Sequence, residues 1–254
     1  MSIYAIADLH LSFASSVEKP MDIYGPRWHD HAQRLHDNWC SRITDDDTVI
    51  IAGDISWGLK LEEAKPDLDW VAALPGQKVI LKGNHDLWWN GITKLNNMYE
   101  NITFLQNDFY LAEDIYICGS RGWLTPDNDE FGEEDEKIYR RELMRLEASL
   151  QKAAKDRQKR YEKEDDAELL GVLHYPPVSK AASFSGFQQL FEDYGVKRVL
   201  YGHVHGEDGF RNTIQGVHHG VEYQLISLDF RQCIPLQIRK QGGIYDSKSH
   251  YYRT

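Results

Sequence analysis

Five short apolar runs of the sequence each end in side chains that bind metal ions or transfer protons. The residues that follow these runs are Asp8 and His10, Gly53-Asp54, Gly83-Asn84-His85-Asp86, His174, and Gly202-His203-Val204-His205. Carboxylate, amide and imidazole groups are common ligands of transition metals, and carboxylates and imidazoles are common general acids and bases. Because ligands of open α/β sheets bind beyond the carboxyl ends of the strands, the five ends are predicted to meet at one site.

The spacing within the clusters favours one shared cleft. Asp8 and His10 are two residues apart, as are His203 and His205. On an extended backbone, residues i and i+2 point to the same side, so each pair is predicted to direct both side chains into the cleft. A glycine before three of the clusters permits a sharp turn and a close approach of the backbone where the strand stops.

The number of candidate ligands suits a pair of metal ions better than one tetrahedral zinc ion. They are Asp8, His10, Asp54, Asn84, His174, His203 and His205. Imidazole together with carboxylate favours Zn, Fe or Mn over Mg or Ca alone. Two carboxylates against two divalent ions leave a net charge of about +2, which attracts phosphate. Any one of these histidines alone would be read as a packed or surface residue, so the hypothesis depends on the whole ordered set.

These motifs resemble those of the calcineurin-like metallophosphoesterase superfamily, and the likeness spans residues 8 to 205. The resemblance implies an α/β fold, a four-layer αββα sandwich of two mixed β-sheets flanked by helices. It also implies two divalent metal ions joined by one bridging carboxylate. Their ligands would be Asp8, His10 and His205 for the first ion, Asn84, His174 and His203 for the second, and Asp54 between them.

The resemblance further implies that the protein hydrolyses a phosphate ester, a monoester or a diester, with a water activated by the two ions. His85 stands where the family has its catalytic histidine. Its implied role is to stabilise the transferred phosphoryl group and to protonate the leaving oxygen. Asp86 is predicted to help orient His85.

One segment departs from the family pattern. Many relatives carry an aspartate three residues after the bridging aspartate, often followed by an arginine, whereas these positions are Trp57 and Gly58 here. In such relatives the aspartate pairs with the catalytic histidine and the arginine contacts phosphate. The orientation of His85 is therefore left open, and the likeness to protein serine/threonine phosphatases is weakened.

Two arginines are candidates for substrate binding. Arg27 lies in the stretch Ser12–Asn38, which follows the first metal-binding strand and is well placed to cover the site. Arg27 could hold a phosphate there while Trp28 stacks on a ring, or the stretch could be a packed loop. Arg121 follows another predicted strand and could point toward the cleft.

The elements that must position these residues are short buried strands alternating with helices. Seven apolar runs rich in Val, Ile or Tyr are predicted to be strands. They are Ile3–Ala7, Thr48–Ala52, Lys78–Leu81, Ile115–Cys118, Leu169–Leu173, Arg198–Tyr201 and Tyr223–Leu228. Helices are predicted between them, for example over His31–Ile43 and Ser185–Tyr194, and this alternation indicates an α/β sheet fold.

The segment Glu133–Asp166 is crowded with charged residues and contains no Gly or Pro. Its apolar residues recur at alternating steps of four and three: Tyr139, Leu143, Leu146, Leu150 and Ala153. The pattern predicts a long charged amphipathic helix, an insertion over 133–166 with one stripe against the body of the protein. The alternative is an arm that docks a partner.

Composition limits the remaining possibilities. The 254-residue chain has a net charge of −11 and 41 % hydrophobic residues, which suits one domain over residues 1–254. The acidic balance argues against binding to a nucleic-acid polymer. Three scattered cysteines, together with no recognisable signal peptide or membrane span, predict a cytoplasmic protein that does not bind membranes.

Two alternatives to the hydrolase remain, a non-catalytic interaction scaffold of the same fold and a nuclease. Scaffolds of this superfamily typically lose the catalytic histidine, which is present here as His85, and a nuclease would need a basic stripe. The predicted partner is a small phosphorylated substrate. The shared metal motifs do not distinguish monoesters from diesters, and they leave the oligomeric state open.

Overall fold

Two mixed β-sheets form the centre of the fold. A computed structural model describes residues 1–162, 166–179 and 183–239. The first sheet has five strands, in the order β11 (Leu236–Arg239), β1 (Ile3–Ile6), β2 (Thr48–Ala52), β3 (Gln77–Leu81) and β4 (Ile102–Phe104). Strand β11 runs antiparallel to β1, and the other neighbours are parallel.

The second sheet has parallel strands at its centre and antiparallel strands at both edges. Its six strands are, in order, β5 (Phe109–Ala112), β6 (Ile115–Ser120), β7 (Glu168–Leu173), β8 (Arg198–Tyr201), β10 (Val221–Leu225) and β9 (Gly216–His218). The antiparallel pairs are β5 with β6 and β9 with β10. The short edge strands end the sheet on both sides.

The two sheets pack face to face through residues that alternate along their strands. Ile3 and Ala5 of β1 share one apolar cluster with Ile117 of β6 and Leu170 of β7. Because successive side chains point to opposite faces of a strand, Tyr4 points the other way and belongs to a cluster with the helices. Both faces of each sheet are therefore buried, as parallel strands require.

Helices cover both outer faces. They are α1 (His31–Cys40), α2 (Leu61–Ala73), α3 (Ile92–Asn96), α4 (Glu133–Arg160), α5 (Gly186–Asp193) and α6 (Gly206–Asn212). Trp39 of α1 and Leu68 of α2 are buried against the first sheet, whereas Leu146 of α4 and Phe187 of α5 are buried against the second. The predicted α/β fold, with two mixed sheets flanked by helices, is confirmed.

The strand registers bring the ends of the strands to one level. Ala52 pairs with Leu81 in the first sheet, and Leu173 pairs with Tyr201 in the second. The residues that follow these pairs therefore emerge together at the carboxyl edge of both sheets. This edge carries all five clusters singled out in the sequence.

The long charged helix forms, but it is shorter than predicted. Helix α4 ends at Arg160, and Tyr161 is extended with φ −122° and ψ 138°. Part of the predicted remainder, residues 163–165, lies outside the described residues. Acidic residues fill the first turn and basic residues the last, which favours the helix dipole at both ends. The predicted stripe faces the body, since its members are buried or packed against the second core.

The strand predicted over Tyr223–Leu228 stops at Leu225, because the chain then crosses from the second sheet to the first. The Ile226 N–H donates to the Tyr201 carbonyl, while the Leu228 N–H donates to the Ala7 carbonyl. The predicted helices His31–Ile43 and Ser185–Tyr194 end one to three residues early, at Cys40 and Asp193. The short strands β4, β5, β9 and β11 were not predicted, since three or four residues give little periodicity.

Candidate metal centre

The structure brings the predicted ligands into two adjacent groups. Asp8, His10 and His205 form one, and Asp54, His174 and His203 form the other, with the ligand atoms of each group within 4.8 Å of one another. The seventh predicted ligand, Asn84, joins the second group, since its Oδ1 lies 2.7 Å from His174 Nε2. The grouping agrees with the division between two ions that the resemblance implies.

Asp54 lies between the two groups. Its Oδ2 is 3.9 Å from His10 Nε2 on one side and 3.3 Å from His174 Nε2 on the other. Its second oxygen, Oδ1, accepts the backbone N–H of His85 at 2.8 Å. A carboxylate in this position can serve both ions, which fits its predicted role as the bridge.

At four of the seven predicted ligands the backbone is left-handed rather than extended. Asp8, His10, Asp54 and His203 have φ values of 61°, 46°, 53° and 70°. The expectation that extended geometry aligns Asp8 with His10, and His203 with His205, is therefore wrong. Left-handed conformations are rare for non-glycine residues and cost free energy, and they concentrate at functional sites. Tight turns, not continued strands, direct these side chains into the cleft.

Glycines provide the space that the ligands need. A Cβ atom on Gly83 would lie 2.1 Å from Asp54 Oδ1, and one on Gly202 would lie 2.7 Å from Asp8 Oδ2. A Cβ on Gly53, whose φ is 91°, would lie 2.7 Å from His174 Nδ1. Any side chain at these positions would displace a predicted ligand. The close approach expected of the three glycines is present.

Hydrogen bonds outside the ligand groups fix the orientation of the side chains. The His203 N–H donates to both carboxylate oxygens of Asp8 at 3.0 Å. His174 Nδ1 lies 2.9 Å from the Ala52 carbonyl, which leaves Nε2 for a metal ion. Such contacts set the tautomer and direction of metal-binding histidines.

Asp229 belongs to the site although it was not predicted. Its Oδ1 lies 2.9 Å from Nδ1 of His205, and its Oδ2 accepts the N–H of Gly206 at 3.2 Å. The side chain is almost completely buried. A signal was available, because Asp229 directly follows the predicted strand Tyr223–Leu228, as the other acidic residues of the site follow theirs.

Burial keeps two of the predicted histidine ligands uncharged, because it lowers their pKa values. It lowers the pKa of His203 to about 3 and that of His10 well below its usual value. Both imidazoles are therefore neutral at pH 7, as a metal ligand must be. His10 Nδ1 is buried and has no hydrogen-bond partner among the described residues. The other ring nitrogen, Nε2, faces Asp54, and this donor set of imidazoles and carboxylates fits a site for Zn, Fe or Mn.

His174 differs from these two histidines. Burial would lower its pKa, but the carboxylate of Asp54, helped by Asp8, outweighs burial and raises the pKa of His174 to about 9. His174 is thus protonated at pH 7 before a metal ion binds, and the proton competes with the ion. We expect Mn²⁺ binding at pH 7 to release at least one proton, that of His174, and the affinity to rise with pH up to about pH 9.

This expectation is tested by titration calorimetry with Mn²⁺ in two buffers that differ in ionisation enthalpy. Release of a proton makes the observed binding enthalpy differ between the buffers. Equal enthalpies at pH 7 would show that His174 is neutral before binding. The variant His218→Ala is a suitable control, since His218 is on the surface strand β9, where its ring contacts the Gln215 carbonyl.

His85 lies beside the ligand groups without belonging to them. Its ring centroid is 5.6 Å from that of His10, and its pKa is lowered, mainly by burial. Asp86 is fully buried, and its carboxylate accepts the backbone N–H groups of Asp54, Ile55 and Gly83 at 2.8–2.9 Å. Any effect of Asp86 on the orientation of His85 would therefore act through the backbone segments that carry Asp54 and Gly83.

The sequence model of the calcineurin-like phosphoesterase family matches residues 1–207 of the chain. The chain belongs to this family. The family is one of phosphoesterases, and the two ligand groups described above are candidate sites for metal ions.

The chain is similar to a phage protein over part of its length and to solved structures at low sequence identity. Gene 66 protein of Mycobacterium phage D29 is 31 % identical over 104 residues, which are 40 % of this chain and 50 % of that protein. The chain thus spans about half the length of this curated relative. The crystal structure of TT1561 of Thermus thermophilus has a TM-score of 0.51 at 11 % identity, with 93 % and 97 % of the two chains covered. Phosphopantetheinyl hydrolase of Mycobacterium tuberculosis has a TM-score of 0.49 at 15 % identity, covering 93 % and 95 %.

A cavity of about 750 Å³ opens over the two candidate ligand groups. Its floor includes His10, Asp54 and His85, whereas one wall is apolar. That wall is formed by Met21, Tyr24, Trp28 and Trp57. Three of these residues come from the stretch Ser12–Asn38, which therefore lies over the site, and two of them, Met21 and Trp28, are also packed into the body of the protein.

Arg27 lines the same cavity, but its charge is already paired. It donates to Glu207 Oε1 at 2.5 Å and to the Asp229 carbonyl at 3.2 Å. These contacts join the covering stretch to helix α6, which begins next to His205. A phosphate would have to compete with Glu207 for Arg27, so substrate binding by Arg27 stays a prediction.

Arg121 faces helix α4. Its guanidinium lies 4.3 Å from the ring of Trp123 and 3.4 Å from the buried carboxylate of Glu142. Arg145 also contacts Glu142, at 2.9 Å. The backbone carbonyl of Arg121 accepts the N–H of His174, so the residue borders the metal centre through its main chain. Its predicted substrate contact stays a prediction.

Among the described residues of this phosphoesterase, no helix is long and apolar enough to cross a membrane.

Proposed function

We propose that this phosphoesterase hydrolyses small phosphate esters at two metal ions. The ions would be held by Asp8, His10 and His205 and by Asn84, His174 and His203, with Asp54 bridging them. The observation that carries the proposal is the position of Asp54, whose Oδ2 lies within 4 Å of a histidine from each group. When bound, the two ions lower the pKa of a water molecule and neutralise charge on the phosphoryl oxygens.

Residues of the chain would orient the phosphoryl group and donate a proton to the leaving oxygen. His85 lines the cavity next to His10 and is placed to contact a phosphoryl group on the floor. In its protonated form it would stabilise charge on that group and donate a proton to the leaving oxygen. Asp54 holds the backbone N–H of His85, so the residue that bridges the ions also fixes the loop that carries the acid.

The cavity supports a small substrate with an apolar or ring-containing organic group. Its volume of about 750 Å³ is in the range of small-molecule sites. The wall of Met21, Trp28 and Trp57 can contact such a group, while the net charge of −11 does not favour a polymer of phosphates. Whether the protein prefers a phosphomonoester or a phosphodiester is measured by the assay described next.

The test is hydrolysis of p-nitrophenyl phosphate and bis(p-nitrophenyl) phosphate with Mn²⁺, Fe²⁺ or Zn²⁺. We expect turnover of at least one ester, and a fall in kcat of ~10²-fold or more in His85→Ala with the metal content unchanged. His29→Ala is the control, since His29 is an exposed residue of the covering stretch. A protein that binds two ions and cleaves neither ester would contradict the proposal and favour the scaffold.

A further inference from the structure

The indole of Trp57 packs against two histidines of the site. Its ring centroid is 4.3 Å from that of His85 and 4.8 Å from that of His10. The Trp57 and His10 rings are stacked, with an interplanar angle of 23°, whereas the His85 ring is tilted by 51°. One rigid side chain thus contacts both the candidate general acid and a candidate metal ligand.

Trp57 is itself fixed from several sides. Its backbone N–H donates to the Leu11 carbonyl at 2.9 Å, and its Nε1–H donates to Met21 Sδ at 3.3 Å. On either side of it in the chain, the Ser56 hydroxyl donates to Asp67 and accepts the N–H of Gly58. A ring held in this way can act as a fixed surface for its neighbours, because its own rotamer is locked.

The His85 ring lacks the usual alternative support. The backbone N–H of His85 is held by Asp54, which fixes the start of the side chain but not its χ angles. Within residues 1–162, 166–179 and 183–239, no carboxylate makes a hydrogen bond to the His85 ring. The buried Asp86 uses its oxygens for backbone amides and for the Trp88 indole N–H. Ring packing is therefore the contact left to set the direction of the imidazole.

We propose that Trp57 is a positioning residue that sets the orientation of the His85 imidazole by ring packing, in place of a hydrogen-bonded carboxylate. The inference rests on the proposed function, because it assigns Trp57 a part in the same reaction. Proton donors act efficiently only within hydrogen-bond distance of the leaving oxygen, so a freely rotating imidazole loses much of its effect. Trp57 acts through His85 and need not touch the reacting atoms.

The experiment is a double-mutant cycle on kcat with the metal-loaded protein and p-nitrophenyl phosphate or bis(p-nitrophenyl) phosphate, whichever the wild type cleaves. The four proteins are wild type, Trp57→Leu, His85→Ala and the double variant. We expect Trp57→Leu to lower kcat by ~10-fold or more in the wild type but by less than ~2-fold in the His85→Ala background. Loss of a cavity wall alone would change KM equally in both backgrounds.

Two further variants distinguish an effect on the orientation of His85 from a general disturbance of the site. Trp57→Phe keeps an aromatic face toward His85 and should retain kcat within ~3-fold of the wild type. Trp28→Leu is the matched control, because Trp28 also packs against His10, at 5.6 Å, but its ring contacts are with His10, His31 and His205. Its effect on kcat should multiply with that of His85→Ala. Metal content is measured for each protein, since Trp57 also touches a candidate ligand.

Each outcome decides the proposal. Additive losses of Trp57→Leu and His85→Ala, or a Trp57→Phe variant as poor as Trp57→Leu, would overturn the positioning role while leaving the hydrolase intact. A Trp57→Leu variant that has lost its metal ions and regains the wild-type kcat when they are restored would overturn it as well. A wild type that cleaves no ester would refute the proposed function first, and the role of Trp57 with it.

Discussion

Asp54→Ala is expected to lower kcat for phosphate-ester hydrolysis by ~10³-fold or more and to weaken metal binding. The carboxylate lies within 4 Å of His10 and His174, one from each ligand group, and it also holds the N–H of His85. Without this carboxylate, position 54 no longer joins the two proposed metal sites, and the backbone N–H of His85 loses its acceptor. Turnover with saturating Mn²⁺ and metal content after gel filtration measure both effects.

The variant Asp54→Asn refines the test. It keeps an oxygen for the N–H of His85 but lacks the second carboxylate oxygen and the negative charge, so it should bind fewer than two ions. Asp46→Ala is the matched control, because Asp46 is an exposed aspartate at the opposite end of the same strand. Full activity and two bound ions in Asp54→Ala would refute the bridging role.

Asp86→Ala should destabilise the protein by about 4 kcal/mol or more, because several buried donors lose their acceptor at once. The Asp86 carboxylate accepts the N–H groups of Asp54, Ile55 and Gly83 at 2.8–2.9 Å, and the Trp88 indole N–H at 3.1 Å. Each buried donor left without a partner costs ~1–3 kcal/mol. Urea unfolding of the metal-free protein gives the free energy directly.

The exposed Asp69 is the comparison for this prediction. It pairs with Lys65 one helical turn away and accepts from Tyr99, and its side chain is 49 % exposed. Asp69→Ala should cost less than ~1 kcal/mol, as exposed ion pairs do. Similar losses for Asp86→Ala and Asp69→Ala would mean that the loop around Asp86 relaxes or admits water, and would remove the structural role assigned to Asp86.

The position of the site could be predicted from the sequence because its signal is local. Each ligand follows a short apolar run, and parallel strands place their carboxyl ends on one edge. The alternation of strands and helices was equally readable, and so was the stripe on α4. The strands, the helices and the stripe all bury apolar residues at regular positions over four or more residues, and this periodicity is visible in the sequence.

The details of the site could not be predicted in this way, because they depend on contacts between distant segments. At Asp8 and Asp54 the left-handed backbone is accompanied by hydrogen bonds to distant segments, from the Asp8 N–H to the Gly53 carbonyl and from the Asp54 N–H to the Asp86 carboxylate. The packing of Trp57 on His85 joins residues 28 positions apart, and the sequence alone shows only that a carboxylate is missing there. Asp229 is an exception, because its position directly after a predicted strand is visible in the sequence.

The distribution of the ligands along the chain bears on how the protein acquires its metal during synthesis. Asp8 and His203 are 195 residues apart, and the two ligand groups each combine residues from both sheets. Strands β1 to β4 of the first sheet lie within residues 3–104, whereas His174, His203 and His205 follow strands of the second sheet. We therefore expect complete metal binding only after both sheets have packed together, because a product truncated before residue 203 would lack one candidate ligand of each group.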